Sequence, residues 1–309
     1  MDNFLLAVNA VMPFIIYIGI GMLLVKFHLT SREFLQKLNT LAFKAFFPFM
    51  MFRNFAGMDL SNGVDIGFVL FSLIFFSVLV AVLVLVIGRT NLVPQRNQKP
   101  VMIQALFRSN SILFAMPLAE SLAGAAGVQA ASFLVAAMVP FYNVTAVVVL
   151  EAYQGERSSL PALLKKIITN PLIIGAIIGT IYVLLPFEFP NFIMKPVYAV
   201  ADMTTPLALI ILGGTLKFTS FRKHIKQLTA IVVLKLIAIP GIVLLLLELF
   251  HFTEAQNLAL FAIYATPVAV SSYTMAANMG GDADLAGEIV AVTTAASLVT
   301  IFLWILVIA

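Results

Sequence analysis

The chain has 309 residues, of which 62% are hydrophobic and only 10% charged, and its mean hydropathy is +1.07. Soluble domains carry about 25% charged residues, so a soluble globular fold is excluded, and a β-barrel is excluded because the apolar runs are continuous rather than alternating. The net charge of +4 is too small to suggest a nucleic-acid binder, and with no cysteine there are no disulfides, thiolate metal sites or cysteine nucleophiles.

Apolar runs bounded by charge, Gly and Pro predict an all-α polytopic membrane protein of ten transmembrane helices. They cover roughly 4–25, 38–57, 64–88, 101–123, 127–151, 167–187, 192–216, 228–250, 257–279 and 285–308. The first is read as a permanent span, because Met1-Asp2-Asn3-Phe4 lacks the basic segment of a signal peptide. The loops after spans 1, 3, 5 and 7 hold 13 of the 18 cations, among them Lys26, Arg96, Arg157, Lys217 and Arg222. The alternate loops carry mainly Asp59, Asp65, Glu188 and Glu254. The positive-inside rule therefore puts both termini outside the cytoplasm of a multi-pass plasma-membrane protein. The acidic loop at Gly280-Gly281-Asp282 gives that orientation no support, although acidic residues count little in the rule.

The polar stretch 152–166 is read as a cytoplasmic linker between a first five-helix repeat, 1–151, and a second, 167–309. Pro13 matches Pro171, Ile15 and Ile16 match Ile173 and Ile174, Gly21 matches Gly179 and Pro48 matches Pro206, all at one offset, as from 13 to 171. Because each half has an odd number of spans, the second copy enters the membrane from the other side, the inverted repeat of secondary transporters. Such proteins hold substrate where helices are discontinuous, and proline breaks helices by removing an N–H and crowding the preceding turn. Span 4 carries Arg108-Ser109-Asn110-Ser111 ahead of Pro117, and span 9 carries Pro267 ahead of Ser271-Ser272. Both read as broken helices.

These residues resemble the auxin efflux carrier family, in its bacterial branch, which includes transporters of malate, malonate and other organic anions. The resemblance is carried by Ser109-Asn110 with Pro117-Leu118-Ala119, Asn170-Pro171-Leu172-Ile173-Ile174-Gly175, Thr205-Pro206-Leu207-Ala208-Leu209 with Gly213-Gly214, and Pro267 with Tyr273 and Gly280-Gly281-Asp282. It spans nearly the whole chain. It implies a scaffold of spans 1, 2, 6 and 7 that forms a homodimer. It also implies a transport domain of spans 3–5 and 8–10, in which broken helices 4 and 9 cross beside the substrate and move as an elevator. Asn110 and Pro117 correspond to family site residues in span 4, Asn143 to one in span 5, and Pro267 to the span 9 break. The chain departs from relatives in lacking glycines around the span 4 break, and in having Ser271-Ser272 where plant carriers have a second proline.

Charges within spans are costly and need a reason. Arg108 reads either as a bidentate carboxylate ligand or as a snorkelling anchor. Lys44 and Asp202, each four residues before a matched proline, are expected to form an ion pair; a proton-relay role for Asp202 is the alternative. Arg53 and Lys235 are further candidates for a role within the membrane, with snorkelling the plain alternative for Lys235, which lies about seven residues into span 8; Glu120, Glu151 and Glu248 are expected to face headgroups. His28, His224 and His251 show no ligand spacing, so no metal and no cofactor is expected. H⁺ and Na⁺ both remain open as coupling ions, and the absence of a Walker motif excludes direct use of ATP. The polar set Ser109, Asn110, Ser111, Asn143, Ser271 and Ser272 suits a small oxygen-rich solute. The chain therefore reads as a secondary transporter of small organic anions in a lipid bilayer, not an enzyme. A cation/proton antiporter of similar architecture is the alternative, and an intramembrane aspartyl protease using Asp202 and Asp282 the remote one.

Overall fold

The computed structural model describes residues 2–57, 65–89, 93, 95–154, 159–185, 187, 189–216 and 221–308. Asp59, Arg157, Glu188 and Lys217 lie outside them. Apart from one isolated β-bridge, the regular structure among the described residues is helical. In chain order the α-helices are α1 (Asp2–Lys26), α2 (Arg32–Leu41), α3 (Phe47–Ala56), α4 (Ile66–Arg89), α5 (Lys99–Phe107), α6 (Met116–Ala152) and α7 (Leu160–Ile168). They continue as α8 (Pro171–Val183), α9 (Asn191–Thr215), α10 (Ile225–Val233), α11 (Ile239–Leu247), α12 (Glu254–Ala265), α13 (Val270–Asn278) and α14 (Ala283–Ile308). Short π-helical turns at Ala42–Phe46, Ser111–Ala115 and Leu234–Ala238 lead into α3, α6 and α11. Among the described residues five helices are long and apolar enough to cross a bilayer, or six if α7 and α8, bent by 63°, count as one. Of the other predicted spans, the first falls on the continuous helix α1, and the rest on helices that π turns or breaks interrupt.

One of the five apolar stretches, Ser111–Ala152, is not straight. Gly124 stands at φ 59° and ψ −146°, a backbone conformation open to glycine alone. A Cβ on Gly127 would strike the carbonyl of Ala119, and Ser132 Oγ lies 3.9 Å from Met116 Sδ. The chain therefore doubles back at Gly124 into two antiparallel arms, close to the expected boundary between spans 4 and 5.

Two helix pairs pack with backbones in contact. A Cβ on Gly21 of α1 would meet the Ile210 carbonyl of α9, and one on Gly179 of α8 would meet the Phe52 carbonyl of α3. Small residues of this kind let membrane helices approach closely, where dispersion replaces the hydrophobic drive that lipid removes. Adding the offset that relates Gly21 to Gly179 to Phe52 gives Ile210, so the two contacts are equivalent positions of the two halves. Thr204 Oγ1 also donates to the Phe46 carbonyl at 3.2 Å, 158 residues away in sequence. Elsewhere, Glu151 is buried and pairs with Lys166 rather than facing headgroups, and Asp282 caps α14 by accepting from the Leu285 N–H at 3.0 Å.

Candidate functional site

Two helix interruptions meet in the interior. The first follows α5, where Arg108 turns extended (φ −92°, ψ 98°) and Asn110 sits at φ −83°, ψ 67° before the π turn. The second follows α12, where Thr266 is extended (φ −86°, ψ 157°), the conformation that a following proline imposes, and α13 resumes after an extended Ala269. Backbone groups released at a break must find partners when no water reaches them. Here each break serves the other: Ser109 and Val268 form an antiparallel bridge, the Asn110 N–H donates to the Pro267 carbonyl at 2.9 Å, and the Ala269 N–H donates to the Arg108 carbonyl at 3.2 Å. Thr293 Oγ1 of α14 accepts the Val268 N–H at 3.3 Å. Pro267 thus lies in its break, as its chemistry requires. Pro117 does not: the first interruption precedes it, and Pro117 stands exposed directly after the π turn Ser111–Ala115, at the start of α6.

Beside the crossing lies a cavity of about 400 Å³. Its walls come from α3, the first break, α6, α9 and the start of α13. Of the residues expected to form a binding site, Arg108, Ser109, Asn110, Ser111, Asn143 and Ser271 line it. Pro117, Pro267 and Ser272 do not; Ser272 is buried with its hydroxyl unpartnered.

Arg108 is 3% exposed, so its guanidinium is no snorkelling anchor. One nitrogen donates to Asn143 Oδ1 at 2.6 Å and another rests on Met275 Sδ, which fixes the side chain in the cavity wall. Two of its five donors are thereby engaged, and a planar fork held this way is suited to a carboxylate. Asn143 also reaches Met51 Sδ at 3.5 Å, which ties the arginine to α3 across the cavity.

The expected Lys44–Asp202 pair is replaced by Arg53–Asp202 at the cavity wall. Lys44 sits on the exposed side of the π turn Ala42–Phe46, which aims it away, whereas Arg53, farther along α3, faces α9 and also lies 5.8 Å from the Tyr198 ring centroid. Lys235, one of the further candidates, does not snorkel: it is fully buried and donates to Ser109 Oγ at 2.5 Å. The only signal in the sequence was its depth within an apolar run; neither its direction nor its partner could be read there.

A family model described as membrane transport protein, that of the auxin efflux carriers, matches residues 6–305. The chain belongs to the auxin efflux carrier family. A search of individually curated proteins finds no match. Family membership together with the apolar helices makes this carrier-family protein a multi-pass membrane protein with a role in membrane transport. The aspartyl-protease alternative gains nothing, since Asp282 caps a helix while Asp202 pairs with Arg53.

Proposed function

We propose that the protein is a secondary transporter of small organic anions, carboxylates in particular, and that it binds them in the cavity beside the crossing of its two broken helices. The observation that carries the reading is Arg108: a buried guanidinium, free of any ion pair among the described residues, held in the wall of a cavity built at paired helix breaks. The amino ends of the helical segments that resume at Ser111 and Val270 add partial positive charge on the same side. Among the described residues the cavity wall has one carboxylate, Asp202, already paired with Arg53. An antiporter would need an unpaired carboxylate there, so the anion reading is favoured.

In this reading ten spans form two inverted five-helix repeats, 1–151 and 167–309, joined by a cytoplasmic linker, with both termini outside the cytoplasm of the plasma membrane. Support comes from the equivalent glycine contacts of Gly21 and Gly179, and from the breaks themselves, since Asn110 and Val268 stand at the same offset as Gly21 and Gly179. The tightly packed helices α1, α3, α8 and α9 are the scaffold and homodimer-forming part. The crossing helices belong to a domain that carries substrate past it as an elevator. The test is counterflow in proteoliposomes with malate, malonate, succinate, lactate and indole-3-acetate, each with and without Na⁺ and a pH gradient. Saturable exchange of at least one acid is expected; absence of flux for all of them, with the protein folded, overturns the reading.

A further inference from the structure

The half-helices α5 and α12 both end at the crossing, and helix carboxyl ends carry partial negative charge on carbonyls that lack intrahelical partners. In broken-helix carriers, such ends and the unwound carbonyls beside them hold the coupling cation. Here a positive charge of the chain's own already stands there. Lys235 lies on the π turn Leu234–Ala238, which packs against both half-helices. Its Nζ donates to Ser109 Oγ at 2.5 Å and lies 5.8 Å from the ring centroid of Tyr264. Ser109 is the bridging residue of the first break, and Tyr264 is the penultimate residue of α12.

Lys235 has no carboxylate partner among the described residues, and it does not line the cavity. A buried ammonium without a counter-charge persists only where fixed dipoles replace its hydration. Two helix carboxyl ends, a hydroxyl oxygen and an aromatic face supply them. The π turn, a form concentrated at functional sites, is itself held: the Trp304 indole N–H donates to the Leu236 carbonyl at 2.8 Å. Arg108 is not available for the same position, being engaged by Asn143 and Met275.

We propose that Lys235 is the resident cation of the crossing, its ammonium occupying the position that a separately bound monovalent coupling cation would need, so that the protein moves its substrate without Na⁺. This inference rests on the reading of the chain as a carrier with substrate at the crossing.

The test uses the full chain as wild type, Lys235→Ser, Lys235→Met and Lys235→Arg. Malate counterflow and thermal unfolding in detergent are each measured in sodium chloride and in N-methylglucamine chloride of equal ionic strength. Wild type and Lys235→Arg are expected to show the same flux and Tm in both salts. Lys235→Ser should lose flux by about tenfold or more in N-methylglucamine, recover in sodium, and be the variant whose Tm rises with sodium. Lys235→Met, with no oxygen to offer, should gain nothing from sodium. Wild-type flux that needs Na⁺ overturns the proposal. So does Lys235→Ser transporting like wild type in N-methylglucamine, or a folded Lys235→Ser whose flux and Tm both ignore sodium. If Lys235→Ser does not fold, wild type and Lys235→Arg decide: sodium dependence in either overturns the proposal, indifference in both upholds it. If wild type moves no acid at all, the transport reading has failed, while the Tm series still tests the cation.

Discussion

A guanidinium buried at 3% exposure whose partners among the described residues are a neutral amide and a thioether is costly, and in the proposed reading a bound anion offsets the cost. Replacing it by Arg108→Gln keeps a hydrogen-bonding group of similar reach and removes the charge. Carboxylate counterflow should fall by at least about tenfold while thermal unfolding changes little. Unchanged affinity would take Arg108 out of the site. Arg53 and Asp202 form a different kind of pair, with side chains 46% and 57% exposed. A pair so open to solvent is worth under about 1 kcal/mol, so the cycle Arg53→Met, Asp202→Leu and both together should show weak coupling in stability. Coupling well above that would mean the pair is shielded from water. Arg108 was legible as a candidate because an intramembrane charge beside Asn110 needs a reason. The partner of Asp202 was not, because spacing along a helix says nothing about which side a π turn presents.

At the scale of the element, contacts that glycine makes possible can be separated from glycine that is merely tolerated. Gly179→Ala would drive a methyl into the Phe52 carbonyl and should lower stability by about 1–3 kcal/mol, whereas Gly19→Ala, with open space around it, should not. Thermal unfolding of the two variants in one detergent makes the comparison, and equal effects would contradict the packing. The crossing has its own support in Thr293. Thr293→Val leaves the Val268 N–H without its acceptor in the interior and should cost about 1–3 kcal/mol, with a larger loss in counterflow than in folding yield. The break at Pro267 was readable because proline forbids the bond that would continue the helix. The break at 108–110 has no proline or glycine; its conformation is stabilised by hydrogen bonds to residues far away in sequence, so its exact place between Arg108 and Pro117 was not legible.

For the molecule as a whole, the lack of native cysteine allows topology to be measured directly. Single substitutions Lys26→Cys and Arg222→Cys should react with a membrane-impermeant maleimide only after the cell membrane is opened. Phe187→Cys and Leu249→Cys should react in intact cells. Labelling of all four from one side would refute the ten-span orientation. The membrane class, the all-helical fold and the family were legible in the sequence, because hydropathy, charge asymmetry and proline placement act locally along the chain. The sequence also marked out most of the polar residues around the cavity. It took the tertiary structure to show that Asp202 turns to Arg53 and that Lys235 reaches the crossing. Each of these depends on a rotation about a helix axis or a turn of the backbone, and periodicity alone does not specify which distant atoms such a change brings into contact.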